Sequence, residues 1–218
     1  MIELSKNYFR QTSLYDFFLI YRQRKDFKRW LANGKSGDTP HLVKKNIVLQ
    51  YSRRYKINVF VETGTFIGEM VKAVSDHFEK IISIELSKEL SQRATQKFAD
   101  ARHIQIINGD SAKILDQVLP SVSGKKLFWL DAHYSGGLSA KGTVLTPIQQ
   151  ELCTIFKYSS GKDVILIDDA RLFTGQNDYP TLDTIKHLVQ TNLPLYAYRV
   201  KDDVIRMFPQ THAEPDVL

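Results

Sequence analysis

A short motif in the first third of the chain places one carboxylate and two glycines at a spacing that suits ligand binding. It has the form Glu-x-Gly-x-x-x-Gly, with Glu62, Gly64 and Gly68 at the fixed positions. An apolar run at residues 57–61 precedes it and a helical pattern follows, so the glycines lie in a strand–turn–helix corner. Such a corner brings backbone N–H groups up to a ligand. Because the Glu62 carboxylate would repel a pyrophosphate, the motif favours a cationic ligand with an amino group or a sulfonium.

Acidic residues also follow the other apolar runs that the sequence predicts as strands. In an open parallel sheet the ligand lies beyond the carboxyl ends of the strands, so these side chains are predicted to converge on one crevice. Taken singly, each is better explained as a helix cap or a turn residue. Their joint placement favours a binding site. The acids in question are Glu62, Glu85, Asp110, Asp131, Asp168 and Asp169.

The elements that position these acids alternate between strand and helix, which is typical of a parallel α/β sheet. The five predicted parallel strands cover residues 57–61, 81–84, 104–107, 127–130 and 164–167. Two further apolar runs, 195–200 and 204–208, are separated by three residues only. Because so short a gap cannot hold a crossover, these last two strands are predicted to form an antiparallel hairpin.

From residue 57 to 208 the order of motifs resembles that of the class I S-adenosylmethionine-dependent methyltransferases. The resemblance implies a Rossmann-like α/β fold, a mostly parallel seven-stranded sheet with a C-terminal antiparallel hairpin, and S-adenosylmethionine as cofactor. By that resemblance, Glu85 would bind the ribose, and Asp110 with Ser111 would lie at the adenine. The methionine side would be lined by the glycine motif. The predicted cofactor-binding residues are Glu62, Gly64, Thr65, Phe66, Gly68, Glu85, Leu86, Asp110, Ser111 and Asp131.

A narrower resemblance starts from Leu-Asp-Ala-His at residues 130–133 and from Ile-Asp-Asp at residues 167–169. These two stretches are similar to those of metal-dependent O-methyltransferases that act on sugars or catechols. The resemblance implies a divalent metal held by Asp131, Asp168 and Asp169. Mg²⁺ suits oxygen ligands with open positions, and Mn²⁺ is the next choice. Two adjacent substrate hydroxyls would bind such a metal, which would lower the pKa of the one to be methylated.

The same resemblance implies a general base shortly after the first metal ligand. In the sugar enzymes the base lies two or three residues beyond it, and His133 is two residues after Asp131. A histidine accepts a proton near neutral pH without a large pKa shift. The catechol-type enzymes use a lysine instead, and the nearest here is Lys141. This departure leaves the substrate class open, with a structural loop histidine as the alternative for His133.

Residues 1–56 differ in charge from the rest of the chain. They hold 13 lysines and arginines against four acids, whereas residues 57–218 hold 17 against 20. This asymmetry suggests an anionic partner, and a solvated helical face is the alternative. The position of the segment resembles the helical lids of small-molecule methyltransferases. The chain is therefore divided into a lid, 1–56, and an S-adenosylmethionine-binding domain, 57–218, with weak membrane-surface contact and homo-oligomerisation both left open.

Composition narrows the cellular setting of the protein. Cys153 is the single cysteine, which excludes an internal disulfide and fits a reducing compartment. The strongly apolar stretches are too short to span a bilayer, and the start of the chain lacks the pattern of a secretory leader. We therefore expect a cytoplasmic protein without a transmembrane segment.

The residues favour an O-methyltransferase acting on a hydroxyl of a small molecule or sugar. A nucleic-acid methyltransferase that uses the basic segment is the first alternative, but the sequence lacks an Asn-Pro-Pro-Tyr type motif. Its one cysteine, Cys153, lies in a predicted amphipathic helix, which does not suit a nucleophile. A protein that binds S-adenosylmethionine without turnover is the second alternative. A nicotinamide enzyme is disfavoured by the carboxylate in the glycine motif and by the missing third glycine.

Overall fold

The computed structural model describes residues 13–131 and 146–210, with side chains from residue 21 onward. A seven-stranded sheet lies at its centre, in the order β3-β2-β1-β4-β5-β7-β6. The first five strands run parallel, and β7 runs antiparallel to both β5 and β6. The predicted mostly parallel sheet with a terminal hairpin is therefore confirmed. The strands are β1 (Val59–Thr63), β2 (Lys80–Glu85), β3 (Ile104–Asn108), β4 (Lys126–Leu130), β5 (Val164–Ile167), β6 (Tyr196–Lys201) and β7 (Val204–Pro209).

Helices cover both faces of the sheet. Three of the caps are formed by side chains that the sequence places directly before a helix: Ser87, Asp110 and Thr181 each accept a hydrogen bond from the first turn. No helix within 13–131 and 146–210 combines the length and apolar character needed to cross a membrane. The helices are α1 (Ser13–Ala32), α2 (His41–Tyr55), α3 (Glu69–Val74), α4 (Lys88–Lys97), α5 (Ser111–Val118), α6 (Ile148–Tyr158) and α7 (Leu182–Asn192).

Helix α2 is part of the core. Its residues Ile47, Val48 and Tyr51 have no exposed surface. They belong to an apolar cluster with residues of the central strands such as Phe60 and Trp129. Burial on this scale stabilises the fold by roughly 1.5–3 kcal/mol for each large apolar side chain. The N-terminal turn of α2 is therefore held firmly over the carboxyl ends of the strands.

Several element boundaries differ from the predictions. The first strand begins and ends two residues later than the apolar run suggested, because its ladder with β2 and β4 spans 59–63. The helix after the glycine motif has six residues and continues as a 3-10 turn, Ser75–His77. The sequence Thr-Pro-Ile-Gln at residues 146–149 is typical of a capping box with proline as the first helical residue. In the structure Pro147 precedes α6, and Thr146 Oγ1 accepts a hydrogen bond from the Ile148 N–H at 3.4 Å.

The terminal hairpin turns in two residues, not the three that the sequence suggested. Asp202 and Asp203 both have positive φ, at 51° and 57°, as a type I′ turn requires. The turn is bonded to two other parts of the molecule. The Thr39 hydroxyl donates to the Asp202 carbonyl at 2.5 Å, and the Ala170 N–H donates to the Asp203 carbonyl at 2.8 Å. The hairpin thereby connects the start of α2 to the segment that follows β5.

Candidate active site

The glycine motif forms a tight turn at the carboxyl end of β1. The N–H groups of Gly64 and Thr65 donate to the Ile84 carbonyl at 2.9 and 3.3 Å, with Gly64 at φ 88°. Gly68, the residue before α3, has φ 68°, and a Cβ there would lie 2.7 Å from Cε2 of Phe98. Both glycines are therefore required, one by its backbone angle and the other by angle and space together.

Glu62 is a buried carboxylate at the floor of this turn, with 2% of its surface exposed. It accepts a short hydrogen bond from the Ser83 hydroxyl, whose oxygen lies 2.5 Å from the Thr65 hydroxyl. Burial raises the pKa of Glu62 to about 8, against the opposing effect of the Ser83 hydrogen bond. A cation bound beside Glu62 would favour its ionised form. The cationic ligand that the motif predicted at Glu62 stays a prediction.

Glu85, at the end of β2, holds the same turn from the other side. One of its carboxylate oxygens accepts from the Phe66 N–H at 2.7 Å, and the other accepts from the Ser87 N–H at 2.8 Å. Each oxygen of a carboxylate can accept a further hydrogen bond, so contact with ribose hydroxyls stays open to it. Phe66 and Leu86, which lie next to it, are 46% and 39% exposed.

The third strand end is bonded to the second. The Asn108 side-chain amide donates to the carbonyls of Glu85 and Leu86, at 2.9 and 3.1 Å. Asp110 caps α5 by accepting from the Ala112 N–H at 3.1 Å, and Ser111 is the buried first residue of that helix. Asp110 therefore performs the capping role that was its structural alternative, and its place at the adenine stays a prediction.

A crevice of about 440 Å³ opens in front of Glu62. It brings the glycine motif and Asp131 together with the loop and helix of the N-terminal segment. The predicted residues Gly68, Glu85, Leu86, Asp110 and Ser111 are not among those that line it. Gly68 precedes α3, and the other four lie at or just beyond the ends of the neighbouring strands β2 and β3. The lining includes Trp30, Asp38, His41, Lys44, Glu62, Gly64, Thr65, Phe66, Glu69, Met70, Trp129 and Asp131.

The acids after β5 are paired with the protein's own cations. Asp168 is buried, and its Oδ2 lies 2.6 Å from Nζ of Lys44, while its Oδ1 accepts from the Asp169 N–H at 2.9 Å. Asp169 is also buried and has a left-handed backbone, with φ 54°. Its Oδ1 lies 2.8 Å from Nη1 of Arg171. Asp131, after β4, is half-buried and donates its N–H to the Thr63 carbonyl at 3.0 Å.

These contacts bear on the predicted metal site. Among residues 13–131 and 146–210, one trio of potential metal ligands has donor atoms within 4.8 Å of one another: Asp38, Asp169 and Asp203. Nη1 of Arg171 is ion-paired to all three. The predicted trio, Asp131, Asp168 and Asp169, is not brought together to that distance. With a lysine on Asp168 and an arginine on Asp169, the donors as arranged do not fit a divalent ion.

Lys44 remains charged in this setting. Burial lowers the pKa of its ammonium, but the nearby charges of Asp168 and Asp131 outweigh that effect and raise the pKa above its usual range. Lys44 was not singled out from the sequence. The signal that could have found it is the helical spacing of His41 and Lys44, which places two basic side chains on one face at the start of α2.

Two other titratable residues were missed by sequence reasoning. His41 lines the crevice, its Nδ1 lies 3.3 Å from the Gln23 amide, and burial lowers its pKa. Glu151 is buried on α6, and burial raises its pKa to about 7, against the opposing effect of Ser111 and Thr63 beside it. The only sign of Glu151 in the sequence is a carboxylate on the apolar face of its helix. The predicted base His133 and the alternative Lys141 lie outside the described residues.

No family model matches the chain, and no curated protein matches it. Solved structures match its fold. A Podospora anserina methyltransferase with S-adenosylhomocysteine bound has a TM-score of 0.53 and 17% identity, covering 88% of this chain and 87% of that one. A protein described as a putative caffeoyl-CoA O-methyltransferase, from Staphylococcus aureus, has a TM-score of 0.51 and 14% identity, covering 90% and 100%.

An O-methyltransferase of Bacillus cereus, also with S-adenosylhomocysteine, has a TM-score of 0.54 and 11% identity, covering 86% of this chain and 90% of that one. At such identities the likeness is one of fold. It confirms the predicted resemblance: the chain has the Rossmann-like fold of class I methyltransferases, and the O-methyltransferases are among its structural neighbours.

Proposed function

We propose that this protein is an S-adenosylmethionine-dependent methyltransferase that modifies a hydroxyl of a small molecule or sugar. The observation that carries the proposal is Glu62: a buried carboxylate in a glycine turn, facing a crevice, on a fold shared with methyltransferases. A buried acid with a raised pKa is stabilised when it ionises against a bound cation. S-adenosylmethionine offers both an ammonium and a sulfonium, whereas NAD and ATP bring pyrophosphate to the same turn.

The cofactor-binding roles follow the strand ends. Glu62 would face the amino group of the methionine part, with Gly64, Thr65 and Gly68 shaping the turn around it. Glu85 would accept the ribose hydroxyls. The exposed rings and chains of Phe66 and Leu86 would cover the adenosine. The adenine side would be completed by Asp110 and Ser111, and the methyl-transfer side by Asp131.

The acceptor would enter from the side of residues 1–56, which we propose as a lid over domain 57–218. Trp30 and His41 line the crevice from that segment. When bound, S-adenosylmethionine supplies an activated methyl group, and the protein's task is to align and deprotonate the acceptor hydroxyl. We assign His133 as the general base that accepts the proton of this hydroxyl. The Mg²⁺ site that the resemblance implies on Asp131, Asp168 and Asp169 has no part in this assignment.

The charges of the crevice favour a neutral acceptor such as a sugar over the anionic one that the basic segment suggested. Five of the side chains that line it are acidic, namely Asp26, Asp38, Glu62, Glu69 and Asp131, against two that are lysine or arginine. A nucleic acid, with one phosphate per nucleotide, is disfavoured for the same reason.

Calorimetry on the full chain tests the cofactor assignment. S-adenosylmethionine and S-adenosylhomocysteine should bind, while NAD and ATP should give no heat of binding at the same concentrations. Incubation with methyl-labelled S-adenosylmethionine and a panel of sugars and phenols should then transfer label to an oxygen. Preferential binding of NAD would refute the proposal, and tight cofactor binding without transfer to any acceptor would favour the non-catalytic alternative.

A further inference from the structure

Lys44 occupies a position surrounded by carboxylates. Its Nζ lies 2.6 Å from Asp168 Oδ2, 3.0 Å from Asp38 Oδ1 and 3.9 Å from Asp169 Oδ1, and its side chain is 14% exposed. The same side chain lines the crevice beside Asp131. Close carboxylates raise one another's free energy unless a cation lies among them. Here the cation is supplied by the chain itself.

A second cation, Arg171, contacts the same group of acids. Its guanidinium contacts Asp169, Asp203 and Asp38, and its backbone N–H donates to Asp203 at 2.8 Å. A guanidinium keeps its charge at every pH that proteins experience. Oδ1 of Asp169 thus has two cations beside it, Arg171 Nη1 at 2.8 Å and Lys44 Nζ at 3.9 Å.

The position and the charge of Lys44 both bear on the metal site that the resemblance implies. We propose that the Lys44 ammonium takes the place that a divalent ion holds in metal-dependent O-methyltransferases, so that this protein neither binds nor needs one. A role of Lys44 in catalysis rests on the proposed function. The prediction that the chain binds no divalent ion can be tested without measuring turnover.

Metal binding by the full chain is the direct test, with Mn²⁺ as the probe and its free-ion electron paramagnetic resonance signal as the readout. Wild-type protein should leave that signal unchanged at ~1 mM metal. Lys44→Ala should bind about one Mn²⁺ per chain, because removal of the ammonium exposes unpaired carboxylates to the ion. Lys44→Arg keeps the charge and should bind none. Lys45→Ala removes the next lysine of the same helix and serves as the matched control.

Two outcomes would overturn the proposal. Micromolar Mn²⁺ binding by the wild-type chain would show a metal site that Lys44 does not fill. Absence of binding by a folded Lys44→Ala variant would show that no such site is retained; circular dichroism checks the fold. If Lys44→Ala does not fold, Lys44→Met is used instead. The wild-type measurement tests the proposal even if neither variant folds. These results stand whether or not methyl transfer is found, so failure of the proposed function is recognised separately, by the labelling experiment.

Discussion

The carboxylates of the proposed cofactor side and those of the proposed acceptor side are held in different ways. On the proposed cofactor side, Glu62 and Glu85 are held by neutral donors, the Ser83 hydroxyl and two backbone N–H groups. On the proposed acceptor side, Asp168 and Asp169 are held by the charges of Lys44 and Arg171. A cation bound beside Glu62 would favour its ionised form, whereas the two aspartates already have cationic partners. We therefore expect the first side to suit a charged ligand and the second a neutral one.

The largest expected effect concerns the base on the acceptor side. His133→Ala should lower turnover by roughly two to four orders of magnitude, the usual share of acid–base catalysis, without changing the affinity for S-adenosylmethionine. Turnover is measured on the acceptor found by labelling, and affinity by calorimetry. His41→Ala is the informative companion, because His41 lines the crevice and its lowered pKa keeps it neutral. A loss confined to His41→Ala would move the role of base to α2.

Removal of Lys44 tests whether the acceptor side depends on its charges. Lys44→Ala leaves Asp168 buried without its ion-pair partner, which should cost about 3–5 kcal/mol of unfolding free energy in chelator. Urea unfolding followed by circular dichroism gives the value. Lys45→Ala should stay within about 0.5 kcal/mol of wild type, as surface substitutions usually do. Equal stability of the two variants would mean that the ion pair contributes nothing.

The cofactor side is tested by Glu62→Gln, which keeps the shape and removes the charge. Loss of a hydrogen bond to a charged group costs about 1.5–3 kcal/mol, so S-adenosylmethionine should bind roughly 10- to 150-fold more weakly. Asp76→Asn, an exposed substitution on the turn after α3, is the control and should leave the affinity unchanged. Unaltered binding by the Glu62 variant would remove the carboxylate from the cofactor site.

The glycines of the turn can be compared with a glycine elsewhere that has the same backbone angle. Gly34 and Gly68 have φ of 66° and 68°, but only at Gly68 would a Cβ meet another side chain, Phe98. Gly34→Ala should therefore cost about 1 kcal/mol from backbone strain alone, and Gly68→Ala about 1–3 kcal/mol more from crowding. Thermal unfolding of both variants measures the difference. Equal losses would show that Phe98 moves aside freely.

The last expected effects are pH-dependent. The folded-state pKa of Glu62, about 8, lies above the ordinary value of 4.5, so the folded protein keeps a proton that the unfolded chain has lost. The contribution of Glu62 to the free energy of unfolding is fully present below pH 4.5 and is lost as the pH rises to 8. Glu62→Gln should flatten that fall in urea unfolding between pH 5 and 8. Glu151, with a pKa of about 7, acts in the same direction, and Glu151→Gln isolates its share.

Contacts between residues that are close in the chain could be predicted from the sequence, whereas contacts between distant residues could not. The turn at Gly64 and the cap at Asp110 depend on neighbouring residues, so spacing and residue type were enough to place them. Lys44 and Asp168 lie far apart in the chain and meet only because α2 packs across the sheet. No local pattern records that pairing. The acids were therefore predicted from the sequence, while the lysine and the arginine that pair with them were not.

The hairpin turn at Asp202 and Asp203 has a consequence for synthesis of the protein. Until β7 emerges from the ribosome and pairs, β5 is an unprotected strand edge with buried-type residues on both faces. The Thr39 hydroxyl and the N–H groups of Ala170 and Arg171 also lack their hydrogen-bond acceptors until this turn forms. We expect nascent chains that end before residue 196 to be held by chaperones and to lack the crevice. The site would then be assembled last, by the final segment of chain that the structure describes.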